Sequence, residues 1–133
     1  MPCHTEPERD IDAIASKVIA AAVEVHKHLG LGFLEAIYEE ALGIELFLRK
    51  VPFVRQPTIP VTYKGHAVAD SRPDLLVSNQ LIVELKAVEQ LGPLHLAQAV
   101  SYLRATGLPL ALVINFNVPI LLRGVRRVVL SNP

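Results

Sequence analysis

The stretch that most constrains this chain is Arg72-Pro73-Asp74-Leu75-Leu76-Val77-Ser78-Asn79-Gln80-Leu81-Ile82-Val83-Glu84-Leu85-Lys86. Two apolar runs flank a polar break, which is the pattern of a β-hairpin. If residues 78–80 form a three-residue loop, Asp74 lies directly opposite Glu84. Such loops need a residue with φ > 0, and Asn79 tolerates that conformation. Directly opposed side chains point to the same face, with Cβ atoms about 4.5–5.5 Å apart. Lys86, two residues past Glu84, shares that face. The pattern thus predicts two carboxylates and an ammonium at one end of an otherwise apolar sheet. A slip of one residue in register would move Asp74 to the other face.

Carboxylates in such a place cost free energy unless something neutralises them. A hard divalent cation does so, because Mg²⁺ favours carboxylate oxygens and keeps several waters. One of those waters is a candidate nucleophile for phosphodiester hydrolysis, with Lys86 orienting it or stabilising charge. The competing reading is a plain salt bridge between Lys86 and one carboxylate. Asp70 is an alternative acidic partner, but the same register sets it far from Glu84.

A chain of 133 residues is one domain, long enough to bury a real core. We read residues 10–133 as that domain and residues 1–9 as a flexible N-terminal tail. No apolar run approaches the ~18 residues of a membrane span. The first residues lack the basic and apolar regions of a signal peptide, and the single Cys3 cannot form an internal disulfide. Together these point to a reducing, cytoplasmic setting. The formal net charge is zero, which excludes the uniform basic footprint of many DNA-binding domains. A local basic strip is still compatible with it. Arg123, Arg126 and Arg127 are candidates, as are Arg49, Lys50 and Arg55; each is equally readable as solvated surface charge.

Ile11, Ile14, Val18, Ala22, Val25 and Leu29 recur at helical spacing, with Asp10 as N-cap and Gly30 as stop. His26 and His28, near the end of this helix, suit its dipole; a metal-binding role is the alternative for His26. A second helix is predicted over residues 34–49. Glu35 and Glu39 lie one turn apart near its start, with Tyr38 between them. Acidic residues favour helix N-termini by about 0.3–1 kcal/mol each, which is reason enough for both. The functional alternative has Glu35 add an oxygen to a metal shell, and spacing alone does not choose. Residues 54–56 and 59–63 read as strand pieces broken by Pro57 and Pro60, which suits a sheet edge. Residues 67–77 and 81–88 are the next strands.

Gly92-Pro93 opens a third helix that runs to about Ala105, and Gly107 stops it. Gln98 and Tyr102 are one turn apart and share a face, with His95 and Ser101 beside it. They can hydrogen-bond a phosphate, a water or a carboxylate; the alternative is that they cap backbone groups. Residues 110–116 form a buried strand. Residues 120–122 and 125–130 form a last one, with Gly124 as a bulge. A helix between residues 81–88 and 110–116 implies a parallel βαβ crossover. The class is an α/β sandwich with a mixed sheet.

These residues carry a resemblance. Gly32-Phe33-Leu34-Glu35-Ala36-Ile37-Tyr38 is similar to the signature of the small GxxExxY proteins. The similarity continues through Val25-His26-Lys27-His28-Leu29-Gly30, Arg72-Pro73-Asp74, Val83-Glu84-Leu85-Lys86-Ala87, Gln98-Ala99-Val100-Ser101-Tyr102-Leu103 and Val113-Ile114-Asn115-Phe116-Asn117. It spans most of residues 11–130. That family resembles a compact branch of the PD-(D/E)xK nucleases. The resemblance implies a three-layer restriction-endonuclease-like sandwich, in which a mixed four- to five-stranded sheet is flanked by helices in the order ααβββαββ. It also implies Mg²⁺-dependent cleavage of phosphodiester bonds in nucleic acid, DNA being the expected substrate, with Mn²⁺ able to substitute. Asp74 and Glu84 would be metal ligands, Lys86 would position the attacking water, and Glu35 would be an accessory ligand. Gln98 and Tyr102 resemble a QxxxY pair that makes supporting contacts; Tyr38 and His26 join them as candidate supporting or substrate-binding residues. Two other functions fit the same residues: a non-catalytic nucleic-acid or protein-binding module, and a small nucleotide phosphodiesterase. With little charged surface for long DNA, a homodimer or a partner protein would supply what one copy lacks.

Overall fold

The computed structural model describes residues 5–130, with side chains from Asp10 onward. Two helices open the chain: α1 (Thr5–Leu29) and α2 (Glu35–Leu48). Five strands follow, β1 (Phe53–Arg55), β2 (Ile59–Tyr63), β3 (His66–Ser71), β4 (Leu75–Val77) and β5 (Leu81–Lys86). Then come α3 (Pro93–Thr106), β6 (Leu110–Asn115), a 3₁₀ turn (Leu121–Gly124) and β7 (Val125–Val128). The main sheet has five strands in the order β1-β4-β5-β6-β7, while β2 and β3 form a separate two-stranded ribbon. β5 and β6 are parallel, joined through α3, and the other pairings are antiparallel. The sheet is therefore mixed, as the sequence implied.

Alternation along the strands divides the core into two layers. Leu75, Val77, Leu81, Val83, Leu85, Leu112 and Ile114 pack with α1 and α2. Ile82, Ala111, Val113 and Val128 pack with Ala99, Tyr102 and Leu103 of α3. The period of two along each strand sorts alternate residues to opposite faces and makes a three-layer sandwich. Glu84 and Lys86 share the parity of Ile82, so they belong to the α3 side.

Several boundaries differ from the sequence reading. α1 begins at Thr5 rather than Asp10, because Pro7 is tolerated in a first helical turn, where its missing N–H would be unpaired anyway. Residues 5–9, read as tail, are thus helical, and Cys3 lies outside the described residues. The strand read over residues 67–77 is two strands in two sheets. Pro73 has no N–H to donate, and the chain leaves the β2–β3 ribbon there before entering the main sheet at Leu75. Asp70 ends up opposite Pro60 in that ribbon. Finally, residues 121–124 turn rather than extend, and β7 is shorter than expected. A Cβ on Gly124 would sit 2.2 Å from the Asn115 carbonyl oxygen, so only glycine permits this approach. No helix among the described residues is long and apolar enough to cross a membrane.

Candidate active site

The β4–β5 hairpin has the register that the three-residue loop implies: Val77 pairs with Leu81, Leu76 with Ile82 and Leu75 with Val83. One step further, Asp74 faces Glu84. Two loop residues are left-handed, Ser78 at φ 52° and Asn79 at φ 58°, where the sequence argued only for Asn79. The ladder ends at this step, which leaves the N–H groups of Asp74 and Leu85 in need of partners. Each is taken by the opposing side chain. Asp74 N–H donates to Glu84 Oε1 at 2.7 Å, and Leu85 N–H donates to Asp74 Oδ2 at 2.7 Å. The two carboxylates are thereby fixed to the strands that carry them, and each keeps its other oxygen clear of these bonds.

Their environment disfavours charge. Burial pushes Glu84 up to about 7, and the nearby Asp74 carboxylate adds to the effect. Burial also pushes Asp74 up to about 6, against the pull of its Leu85 hydrogen bond, with Glu39 raising it further. Lys86 offsets only part of this, its Nζ lying 3.9 Å from Glu84 Oε2 and 3.5 Å from Gln98 Oε1. A bare salt bridge would hold the ammonium closer and keep both acids in their ordinary range.

α3 supplies the wall. Gln98 reaches Lys86 through that long contact. Tyr102 lies beside the acids: burial first, then the charges of Glu84 and Asp74, push its phenol up to about 12. It remains an O–H donor at any pH the protein meets. From the opposite layer, Glu35 at the start of α2 accepts a weak 3.4 Å bond from Ala87 N–H, just beyond the end of β5. The structure therefore gathers Asp74, Glu84, Lys86, Gln98, Tyr102 and Glu35 at one end of the sheet.

Two candidates lie elsewhere. Tyr38 is fully buried under α2, stacked on Phe116 at 4.5 Å, with its hydroxyl donating to Gly30 O at 2.7 Å and accepting from Phe33 N–H at 3.2 Å. With both roles of the hydroxyl used by backbone, it locks the turn ahead of α2 and has no free group for substrate. His26 Nε2 bonds Val118 O at 2.8 Å and its ring lies near Phe116, so it ties α1 to the loop after β6. The proposed basic strips are also largely spent within the chain: Arg49 pairs with Glu45, Arg127 with Asp12, and Arg126 donates to backbone carbonyls.

Three residues of the site were not singled out by sequence. Glu39 is buried, 7% exposed, and lies next to Asp74. Its Oε2 accepts from Arg55 Nη2 at 2.9 Å and Nε at 3.1 Å. Arg55 Nη1 also reaches Glu40 at 3.1 Å, and these carboxylates raise its pKa. Next along the chain, Gln56 donates its backbone N–H to Asp74 O at 2.8 Å from a left-handed φ of 49°. Arg55 thus clamps α2 to the strand flanking Asp74. The third is Asn115, 2% exposed, whose amide exchanges bonds of 2.9 and 3.1 Å with Val88 backbone. It pins the segment that follows Lys86. A buried Asn at a strand end was the available signal; for Glu39 there was none beyond its position one turn from Glu35.

The donor set suits a hard cation. Two desolvated carboxylates, each with an uncommitted oxygen and only one nearby ammonium, leave negative charge that Mg²⁺ or Mn²⁺ would neutralise. Among the described residues no group of three or more His, Cys, Asp or Glu is arranged around one point, so Glu35 does not complete a three-ligand cluster. Two protein carboxylates with the remaining positions left to water match how Mg²⁺ is ordinarily held.

No curated protein and no solved structure gives a significant match to the chain. A family model does match, over residues 12–128, which takes in both sheet faces and every residue of the carboxylate cluster. On that match, and on a five-stranded mixed sheet with its acidic pair at the β4–β5 end, the chain belongs to the PD-(D/E)XK nuclease superfamily.

Proposed function

We propose that this protein is a metal-dependent nuclease of the GxxExxY type, hydrolysing phosphodiester bonds of nucleic acid, with DNA as the expected substrate. The observation that carries the reading is the crossed pair of 2.7 Å bonds that fixes Asp74 and Glu84 side by side under strain of desolvation. A fold with no use for these charges gains by losing them, since buried uncompensated carboxylates cost stability.

In this reading Asp74 and Glu84 hold a Mg²⁺, for which Mn²⁺ can substitute. When bound, the ion polarises the scissile phosphate and lowers the pKa of a bound water. Lys86 orients the attacking water and compensates charge on the phosphate. Gln98 steadies the Lys86 ammonium, and the Tyr102 hydroxyl donates toward the phosphate side. Glu35 acts from the rim of the site, through water.

The test is cleavage of a panel of labelled duplex, single-stranded and branched DNA, RNA and dinucleotides, with Mg²⁺, Mn²⁺ or EDTA. Cation-dependent cleavage of polynucleotide that Asp74→Ala abolishes is the expected result. Cleavage restricted to dinucleotides would favour the small nucleotide phosphodiesterase. Binding of nucleic acid indifferent to metal and to Asp74→Ala, with no cleavage, would leave the binding module.

A further inference from the structure

α2 is apolar on two opposite faces. Tyr38, Leu42 and Leu46 are buried against the core. On the other side Ile37, Ile44, Phe47 and Leu48 are 40%, 54%, 74% and 66% exposed. Ile37, Ala41, Ile44 and Leu48 follow the 4-3-4 spacing of a seam between two packed helices. A helix that is apolar all round is ordinarily covered all round. The exposed stripe continues into a groove of about 790 Å³ between the end of α2 and β1, lined by Phe47, Leu48, Lys50, Val51, Pro52 and Phe53.

We propose that this face is the interface of a two-fold homodimer, in which α2 packs antiparallel on the α2 of a second copy. Three features of the surface favour a second copy as the occupant. First, it is self-complementary: an axis beside Ile44 sets the exposed stripe on itself, with each projecting Phe47 next to the other copy's groove. Such matching of a patch to itself is what a two-fold contact requires. Second, the charges along α2 are segregated. Glu35, Glu39 and Glu40 stand in its first half, and Arg49 and Lys50 follow its last turn. Antiparallel packing brings the Lys50 end of each copy beside the partner's Glu40, whereas parallel packing would set like charges together. Opposed helix dipoles favour the same sense. Third, β1 does not invite strand addition. It is three residues long and framed by Pro52 and Pro57, so growth of the sheet at this edge is blocked while the helix face stays open. The arrangement sets the two Glu35 ends, and the carboxylate clusters beside them, at opposite ends of the seam.

Sedimentation velocity of the full chain over a concentration series tests this. The expected result is a concentration-dependent species of twice the monomer mass. Phe47→Glu is expected to raise its dissociation constant by about 30-fold or more, as for a central interface residue. Phe47 is exposed, so the variant keeps its fold, checked by its melting curve. The specific arm uses charge. Glu40→Lys alone and Lys50→Glu alone each weaken the dimer by about tenfold, and an equimolar mixture of the two restores it, because both cross-copy pairs are then again of opposite sign. A wild type that stays monomeric at the highest concentration overturns the proposal. So does a dimer indifferent to Phe47→Glu, or a mixture no tighter than its components.

Discussion

The molecule contains two antiparallel strand pairs of similar length and opposite character. In β2–β3, nearly every residue of β3 is exposed, and Asp70 stands across from Pro60 with water on its side. In β4–β5 only one residue of each strand escapes full burial, and Asp74 stands across from Glu84. Asp70 and Asp74 are one helical turn's worth of sequence apart, in the same run of alternating residues. What separates them is Pro73, where the chain passes from a ribbon at the surface into the middle of a sandwich. A carboxylate acquires unusual chemistry from the layers packed over it, and the same residue type a few positions away does not.

The largest expected effect contrasts the two acids directly. Asp74→Ala or Glu84→Ala should lower cation-dependent cleavage by about 10³-fold or more, while Asp70→Ala stays within about twofold. Equal losses from Asp70→Ala and Asp74→Ala would break the comparison. Next comes the clamp beside the buried pair. Arg55→Ala strands Glu39, 7% exposed, without its guanidinium, and should destabilise by about 2 kcal/mol in denaturant titration. Lys64→Ala, which removes a cation 5.4 Å from the Tyr63 ring in the exposed ribbon, should change stability by less than about 0.5 kcal/mol.

The acids themselves give a pH signature. With Asp74 raised to about 6 and Glu84 to about 7, the folded chain binds these protons more tightly than the unfolded chain, where they sit near 3.8 and 4.5. Their stabilising contribution is therefore complete below about pH 4 and is lost as pH rises through 6 to 7. Glu84→Gln keeps an oxygen to accept from Asp74 N–H and carries no charge. It should match wild type at pH 4 and exceed it by about 1 kcal/mol at pH 8 in cation-free buffer. Mg²⁺ at pH 8 should narrow that gap by stabilising wild type alone. The smallest effect lies in the hairpin loop. Glycine at Ser78 or Asn79, both at positive φ, should stabilise by about 0.5–1 kcal/mol each. The same change at Lys64, φ 49° in the ribbon turn, tests whether a peripheral turn responds as strongly.

How much of this could be read from sequence follows from how local each determinant is. The Asp74–Glu84–Lys86 face was legible because a short loop and a period of two fix it within fifteen residues. Gln98 and Tyr102 were legible for a similar reason, one helical turn apart on α3. The Gly107 stop and the parallel crossover came from equally local signals. What failed depended on distant partners. Glu39 reads as an ordinary acidic residue near a helix start, and only the packing of α2 over β1 brings Arg55 and Asp74 to it. Tyr38 and His26 sit in the run that carries the family resemblance, yet Phe116, some 80 residues on, claims both rings for the core. The division of residues 67–77 turned on one missing N–H at Pro73, which alternation alone does not register.

The central claim is that the buried acid pair exists to hold a cation. Calorimetric titration of Mn²⁺ or Mg²⁺ into wild type, Glu84→Ala and Asp70→Ala, each with and without a non-cleavable oligonucleotide, tests it most directly. The account predicts binding by wild type that tightens when oligonucleotide is present, loss of that binding in Glu84→Ala, and full retention in Asp70→Ala. No binding by wild type even with oligonucleotide, or equal binding by wild type and Glu84→Ala, would contradict it.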